Sequence, residues 1–188
     1  MKLRKSIAIV PLIAVLSLAF GQDEPKLDKS SQERHELEVQ KHRTQVLHVL
    51  LTIPTLQTTF DFLNFGIQGP TVVLLGFTVQ PVLKTEAEGV IKRLPWVQNV
   101  VNQIEVLPLN PEDKQIRVQS LSILQRLVPQ AFPANHADIR IKTMRGDVTL
   151  VGFIDEISKL RLESAIVQIQ HQPYVREVTN NVIIRPNK

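Results

Sequence analysis

Leu94-Pro95-Trp96-Val97-Gln98-Asn99-Val100-Val101-Asn102-Gln103-Ile104-Glu105-Val106 aligns without a gap with Gln172-Pro173-Tyr174-Val175-Arg176-Glu177-Val178-Thr179-Asn180-Asn181-Val182-Ile183-Ile184. Both stretches open on Pro, an aromatic residue and Val, after which Val, Asn and then Ile or Val recur at fixed spacing. A second match lies upstream, where Thr71-Val72-Val73-Leu74-Leu75-Gly76-Phe77 aligns with Asp147-Val148-Thr149-Leu150-Val151-Gly152-Phe153. One unit is therefore present twice, as duplicated supersecondary structure requires. The offset is 76 residues at the upstream match and 78 at the downstream one. The length difference thus falls between the glycine and the next helix, where connections tolerate insertion.

Periodicity gives each unit the order helix, strand, strand, helix, strand. In the second copy, Asn110-Pro111-Glu112-Asp113 opens a helix with Asn as N-cap, Pro at the first position and acids in the first turn. Ile116, Leu121, Leu124, Leu127 and Val128 make its apolar face, which ends before Pro129. Ile139–Thr143 and Val148–Val151 alternate as strands about an Arg145-Gly146 turn, which is a hairpin pattern. Leu162, Ala165, Ile166 and Ile169 share one side of the second helix, and Val178, Asn180, Val182 and Ile184 share one face of the last strand. The first copy reads as Val39–Leu51, Leu63–Ile67, Val72–Leu75, Leu83–Leu94 and Val100–Val106. It is the looser copy, with Gly66 inside a strand and Gly69-Pro70 at the turn.

A single helix between the second and third strands makes those strands parallel, whereas the first two form an antiparallel pair. The fold class expected is α+β, an α/β sandwich of two similar small domains, each a three-stranded mixed sheet packed on two helices. The expected division is 1–21 signal peptide, 22–38 polar lead-in, disordered to about Arg34, 39–108 first domain and 109–188 second domain. Units of this size leave one sheet face open. That face would carry Val73, Leu75 and Val101 in the first copy and Thr149, Val151 and Ile183 in the second. These residues predict partial cover by the sister domain, by a protein partner or by a second copy of the chain in a homo-oligomer.

Composition narrows the class. With 43% hydrophobic and 21% charged residues the 188-residue chain is neither a disordered tail nor a polytopic membrane protein. It has no Cys, which removes disulfides, thiol nucleophiles and Cys-ligated metal centres. The net charge of +4 is unevenly placed. Lys2, Arg4 and Lys5 put +3 on residues 1–21, and six acids against Lys26, Lys29 and Arg34 put −3 on residues 22–40. A basic start, the apolar run Ile7–Phe20 and Ala19-Phe20-Gly21 read as a secretory signal, so the mature chain begins near Gln22 outside the cytoplasm. The mature protein is then near +1, too weak an imbalance for nucleic-acid binding.

With its two repeats, a Gly-x-Val-x-Leu-x-Gly core at Gly146–Gly152 and Val-x-x-Val-x-Asn-x-Val from Val175 to Val182, the chain resembles tandem BON-domain proteins over about residues 40–186. The first copy matches at Val72, Leu74, Gly76, Ala87, Val97, Val100, Asn102 and Ile104. It departs at Pro70, where the family prefers Gly, and both copies depart at Trp96 and Tyr174, where Gly usually follows Pro. The resemblance implies association with phospholipid or other components of the periplasm and cell envelope, sometimes with a chaperone-like or stress-protective role. It implies neither an enzyme nor a cofactor.

The hairpin turn, the C-terminus of the second helix and the start of the last strand should meet at one end of each domain. The first copy collects Lys92, Arg93 and Trp96 there, and the second Arg145, His171, Tyr174 and Arg176. Aromatic rings among cations suit the headgroups of an anionic membrane. The competing reading has the cations complementing a helix dipole and the aromatic residue capping the core edge. The open-face residues Val73, Leu75 and Val101, with Phe77 on the same strand, are the candidate surface for a protein client. His35, His42 and His48 lack the spacing for chelation from a helix and read as solvated positions, so no metal is expected. Asp155-Glu156 reads as a helix start rather than a catalytic pair, and Asn102 and Asn180 as inward strand residues bonding a neighbouring loop.

Overall fold

The computed structural model describes residues 29–53, 58–133 and 136–186. The segment read as a signal peptide lies outside them. Ten principal elements follow one another: α1 (Lys29–Leu51), β1 (Phe62–Gln68), β2 (Thr71–Thr78), α2 (Pro81–Ile91), β3 (Asn99–Val106), α3 (Pro111–Leu127), β4 (Ile139–Met144), β5 (Asp147–Asp155), α4 (Lys159–Gln170) and β6 (Glu177–Arg185). The sheets have the orders β1-β2-β3 and β4-β5-β6, with the first pair of each antiparallel and the second parallel. The fold is α+β, built from two copies of one helix-strand-strand-helix-strand unit.

Local chemistry explains most boundaries. The Asn110 side chain accepts from Asp113 N at 2.7 Å and starts α3, with Pro111 behind it. Arg145 and Gly146 both have positive φ, the pattern of a two-residue type I′ hairpin turn. The extra residues of the second repeat form a short 3-10 turn, Glu156–Ser158, capped by Asp155, which accepts from Ser158 N at 2.9 Å. The repeated glycine is required by packing. A Cβ on Gly76 would stand 1.9 Å from the Phe62 carbonyl oxygen, and one on Gly152 1.8 Å from that of Asp138.

One boundary differs from the periodic reading. Helix α1 starts at Lys29 rather than Val39, so the second part of the polar lead-in is helical. Gln32, Glu33, Arg34, Glu36 and Glu38 are unbranched residues that lose little rotamer freedom in a helix. Arg34 Nε also donates to the Ser30 carbonyl one turn back, at 3.1 Å. Polarity there marks a solvated helix rather than coil.

Each repeat has its own core. Val46, Leu50, Val72, Leu74, Leu83, Ala87, Ile91 and Ile104 are buried in the first, and Ile116, Leu124, Ile139, Ile141, Leu150, Leu162, Ala165 and Ile169 in the second. Both repeats belong to one compact unit, Val39–Lys188. Phe60, just before β1, packs against the second core, and Thr59 O accepts from Ile141 N at 3.0 Å. Arg117, 3% exposed, donates to Thr143 O at 3.3 Å and to Pro108 O at 2.9 Å, so a buried guanidinium ties the linker to the second hairpin. Lys142 forms an ion pair with Glu105 on the open faces of the two sheets. Cover of the open faces is therefore partial. Phe77 is buried, while Val73, Leu75, Val101, Thr149 and Val151 are half-buried and Ile183 is exposed.

Candidate functional site

In both repeats the hairpin turn lies against the Pro-aromatic-Val loop. Gln98 N donates to Pro70 O at 2.9 Å in the first, and Arg176 N to Gly146 O at 2.9 Å in the second. In the second repeat the approach leaves no room for a side chain, since a Cβ on Gly146 would stand 2.5 Å from Tyr174 O. In the first repeat Pro70 takes the Gly146 position, and Gly69, which takes that of Arg145, has open space where a Cβ would stand.

The first repeat packs its candidate ring internally and leaves its two cations at the surface. Trp96 is half-buried, stacked on His42 with ring centroids 3.9 Å apart and planes 16° from parallel, and its Nε1–H donates to Gln45 Oε1 at 2.8 Å. The core-edge reading describes this ring, and His42 is a stacking partner rather than a solvated position. Lys92 pairs with Glu88 one turn back at 2.6 Å. Arg93 is exposed but lines a groove of about 400 Å³ between the end of α1 and α2, together with Ile53, Val82 and Val90.

The second repeat leaves its residues in solvent. Tyr174 is 62% exposed, and Arg145 and Arg176 are exposed beside it. Among the described non-glycine residues only Arg145, at φ 53°, and Tyr174, at φ 68°, have left-handed backbone. Lys142, Arg145 and Arg176 line a shallow depression of about 280 Å³ with Met144, Asp147 and Thr149. Within it the Arg176 Nε lies 3.8 Å from Asp147, a loose pair between two exposed groups that leaves the guanidinium accessible.

Asp113 was not singled out from the sequence beyond its helix-start role, yet it holds this end in shape. Its carboxylate, 1% exposed, accepts from Arg145 N at 2.9 Å, Gly146 N at 2.8 Å and Asn110 Nδ2 at 2.8 Å. Burial pushes this carboxyl up, but the hydrogen bonds from Gly146, Asn110 and Arg145, together with the Arg117 charge, outweigh it and hold it below the ordinary value. The repeated asparagines also differ from the expectation. Asn102 bonds helix α2, donating to Lys84 O at 2.8 Å and Glu88 Oε2 at 3.0 Å, rather than a loop. Asn180 is exposed and makes no such bond to α4. Among the described residues no group of three His, Cys, Asp or Glu could hold a metal ion.

Among solved structures, the chain is similar to CdsD, a structural protein of the Type III secretion system of Chlamydia trachomatis. Identity is 16% and the TM-score 0.30, over 77% of this chain and 92% of that one. The CdsD C-terminal domain gives 15% and 0.33 over 76% and 96%. The periplasmic domain of the inner-membrane protein PrgH from S. typhimurium gives 12% and 0.28 over 85% of each chain. No curated protein matches the sequence. The BON domain family matches at residues 67–108 and 120–186, one segment in each repeat. This chain belongs to the BON-domain family, with two such domains in tandem.

Proposed function

We propose that the protein is an exported, non-enzymatic module that associates peripherally with anionic phospholipid of the cell envelope through the exposed end of its second domain. The observation that carries this reading is the pairing of Arg145 and Tyr174, both exposed and both left-handed at one end of the fold. The hairpin turn accounts for the backbone of Arg145, whereas Tyr174 lies outside it, and a left-handed non-glycine residue there costs roughly 1–2 kcal/mol, strain that concentrates where a side chain has work to do. Each cation near an anionic surface contributes about 1 kcal/mol, and an amphipathic ring settles at headgroup depth. Arg145 and Arg176 supply the charge, and Tyr174 the ring. Export is supported by the basic and then apolar residues 1–21 and by membership of the BON family. No helix among the described residues is long and apolar enough to cross a membrane, so the association drawn is with a surface.

A second reading, a chaperone-like module for a protein client, is favoured by one observation. Val73, Leu75 and Val101 leave a half-exposed apolar strip on the open face of the first sheet. Co-sedimentation of the purified protein with neutral and with anionic liposomes, at low and high salt, tests the first reading against the second. The expected result is binding to anionic vesicles only, reversed by salt and lost in Arg145→Glu/Tyr174→Ala. Trp96 fluorescence should not shift, because that ring is packed against α1. Failure to bind either vesicle would overturn the lipid reading. Client binding would be tolerant of salt and lost in Val73→Asp or Leu75→Asp.

A further inference from the structure

A three-stranded sheet has two free edges, and each presents backbone N–H and C=O groups on which another strand can pair. The sheet orders leave β1, β3, β4 and β6 at edges. On every one of these strands a backbone N–H in the interior of the strand is taken by an acceptor that belongs to no neighbouring strand. Asn64 Oδ1 accepts from Phe65 N at 2.8 Å on β1, and Asn102 Oδ1 from Ile104 N at 3.2 Å on β3. Thr59 O accepts from Ile141 N at 3.0 Å on β4, and Asn180 Oδ1 from Val182 N at 3.1 Å on β6. The common deterrents to edge pairing are thin on two of these strands. β1 has neither charge nor Pro, and β6 is uncharged from Val178 to Ile184.

We infer that Asn64, Asn102 and Asn180, with the Thr59 carbonyl, cap the four free sheet edges and prevent them from pairing with a second copy of this chain. An incoming strand needs a continuous ladder, and a side chain folded over its own strand both occupies a donor and stands where the incoming carbonyl would lie. On β1 and β4 what remains on either side of the capped amide is three residues or fewer, and on β3 and β6 it is five at most, where an uninterrupted strand commonly runs to about five or six. The same argument explains why Asn recurs at 102 and 180. The two share only the bond from Oδ1 to the N–H two residues on, since the bonds to α2 are confined to Asn102. Edge capping is the common role, and anchoring the helix is an addition in the first repeat.

The inference is independent of the lipid reading, and its test needs no membrane. Asn180 is exposed, so Asn180→Val should leave far-UV circular dichroism unchanged and lower Tm by no more than a few degrees. In sedimentation velocity over a concentration series it should form dimers and larger species at concentrations about tenfold below any at which the unsubstituted protein does. Asn180→Asp, which keeps the acceptor, should behave as the unsubstituted protein. Hydrogen exchange at the Val182 amide should be about three- to tenfold faster in Asn180→Ala, the loss of one ordinary hydrogen bond. Asn64→Val on β1 carries the same expectation and keeps the test decisive should Asn180→Val fail to fold. Unchanged sedimentation in a folded Val variant, or unchanged Val182 exchange in Asn180→Ala, would overturn the inference.

Discussion

Pro95-Trp96-Val97 and Pro173-Tyr174-Val175 close the same connection in the two domains, yet the first ring lies against α1 and the second stands in solvent. The backbone differs with it, since Tyr174 is left-handed and Trp96 is not. The preceding helix supplies the reason. Helix α1 offers His42 for stacking and Gln45 for the indole N–H. Helix α3 is reached instead by Gln172, whose Nε2 lies 3.4 Å from Ser120 Oγ, and the tyrosine is left over. The same connection thus locks the domain in one repeat and presents an exposed aromatic residue in the other.

The largest expected effect tests how tightly the presenting loop is held. Gly146→Ala should cost about 3 kcal/mol in urea unfolding, because its Cβ would meet the Tyr174 carbonyl at a positive φ. Gly69→Ala, with open space around it, should cost only about 1 kcal/mol. Equal costs would break the comparison. Charge reversal comes next. Arg145→Glu/Arg176→Glu should weaken binding to anionic vesicles about 30-fold or more, the loss of two contacts of about 1 kcal/mol each. Lys92→Glu/Arg93→Glu should change it by no more than a few-fold. Vesicle titration at fixed salt separates the two pairs.

Removing the rings should have effects on different quantities. Trp96→Ala should lower stability by about 2 kcal/mol, less than for a fully buried aromatic residue, and leave vesicle binding intact. Tyr174→Gly should do the reverse, raising stability by up to about 1 kcal/mol as the left-handed strain is relieved and weakening vesicle binding. The smallest effect lies at acid pH. With its folded pKa below the ordinary 3.8, Asp113 adds stability that is present above that value and lost as pH falls through the folded one. In Asp113→Asn the decline of Tm between about pH 5 and pH 2 should be shallower, because the group that must be protonated there is gone.

Much of this molecule is legible in short windows. The alternation around Arg145-Gly146, the Asn110 cap and the Leu83, Ala87 spacing of α2 are each decided by neighbours a few residues away, and the structure has them where those windows place them. The candidate end was legible as a meeting of turn and loop, because the same Pro-aromatic-Val pattern recurs after each hairpin and helix. The unequal fates of its residues were not. Trp96 meets Gln45 across 51 residues of sequence, and the Lys142–Glu105 pair spans 37. Nothing in either local pattern marks those partners. The helical start at Lys29 was missed for the opposite reason, since a stretch with no apolar face lacks the period by which helices are recognised.

The sequence by itself determined the duplicated unit, the order of its elements, the direction of each strand and the family, because periodicity, caps and turn chemistry act within a few residues and a repeat states them twice. Only the tertiary structure decided which aromatic ring is buried and which is offered, which cation is paired and which is free, and which asparagine reaches a helix. Those outcomes turn on groups distant in the chain competing for the same donor or the same patch of surface, and that competition is settled only when the chain has packed.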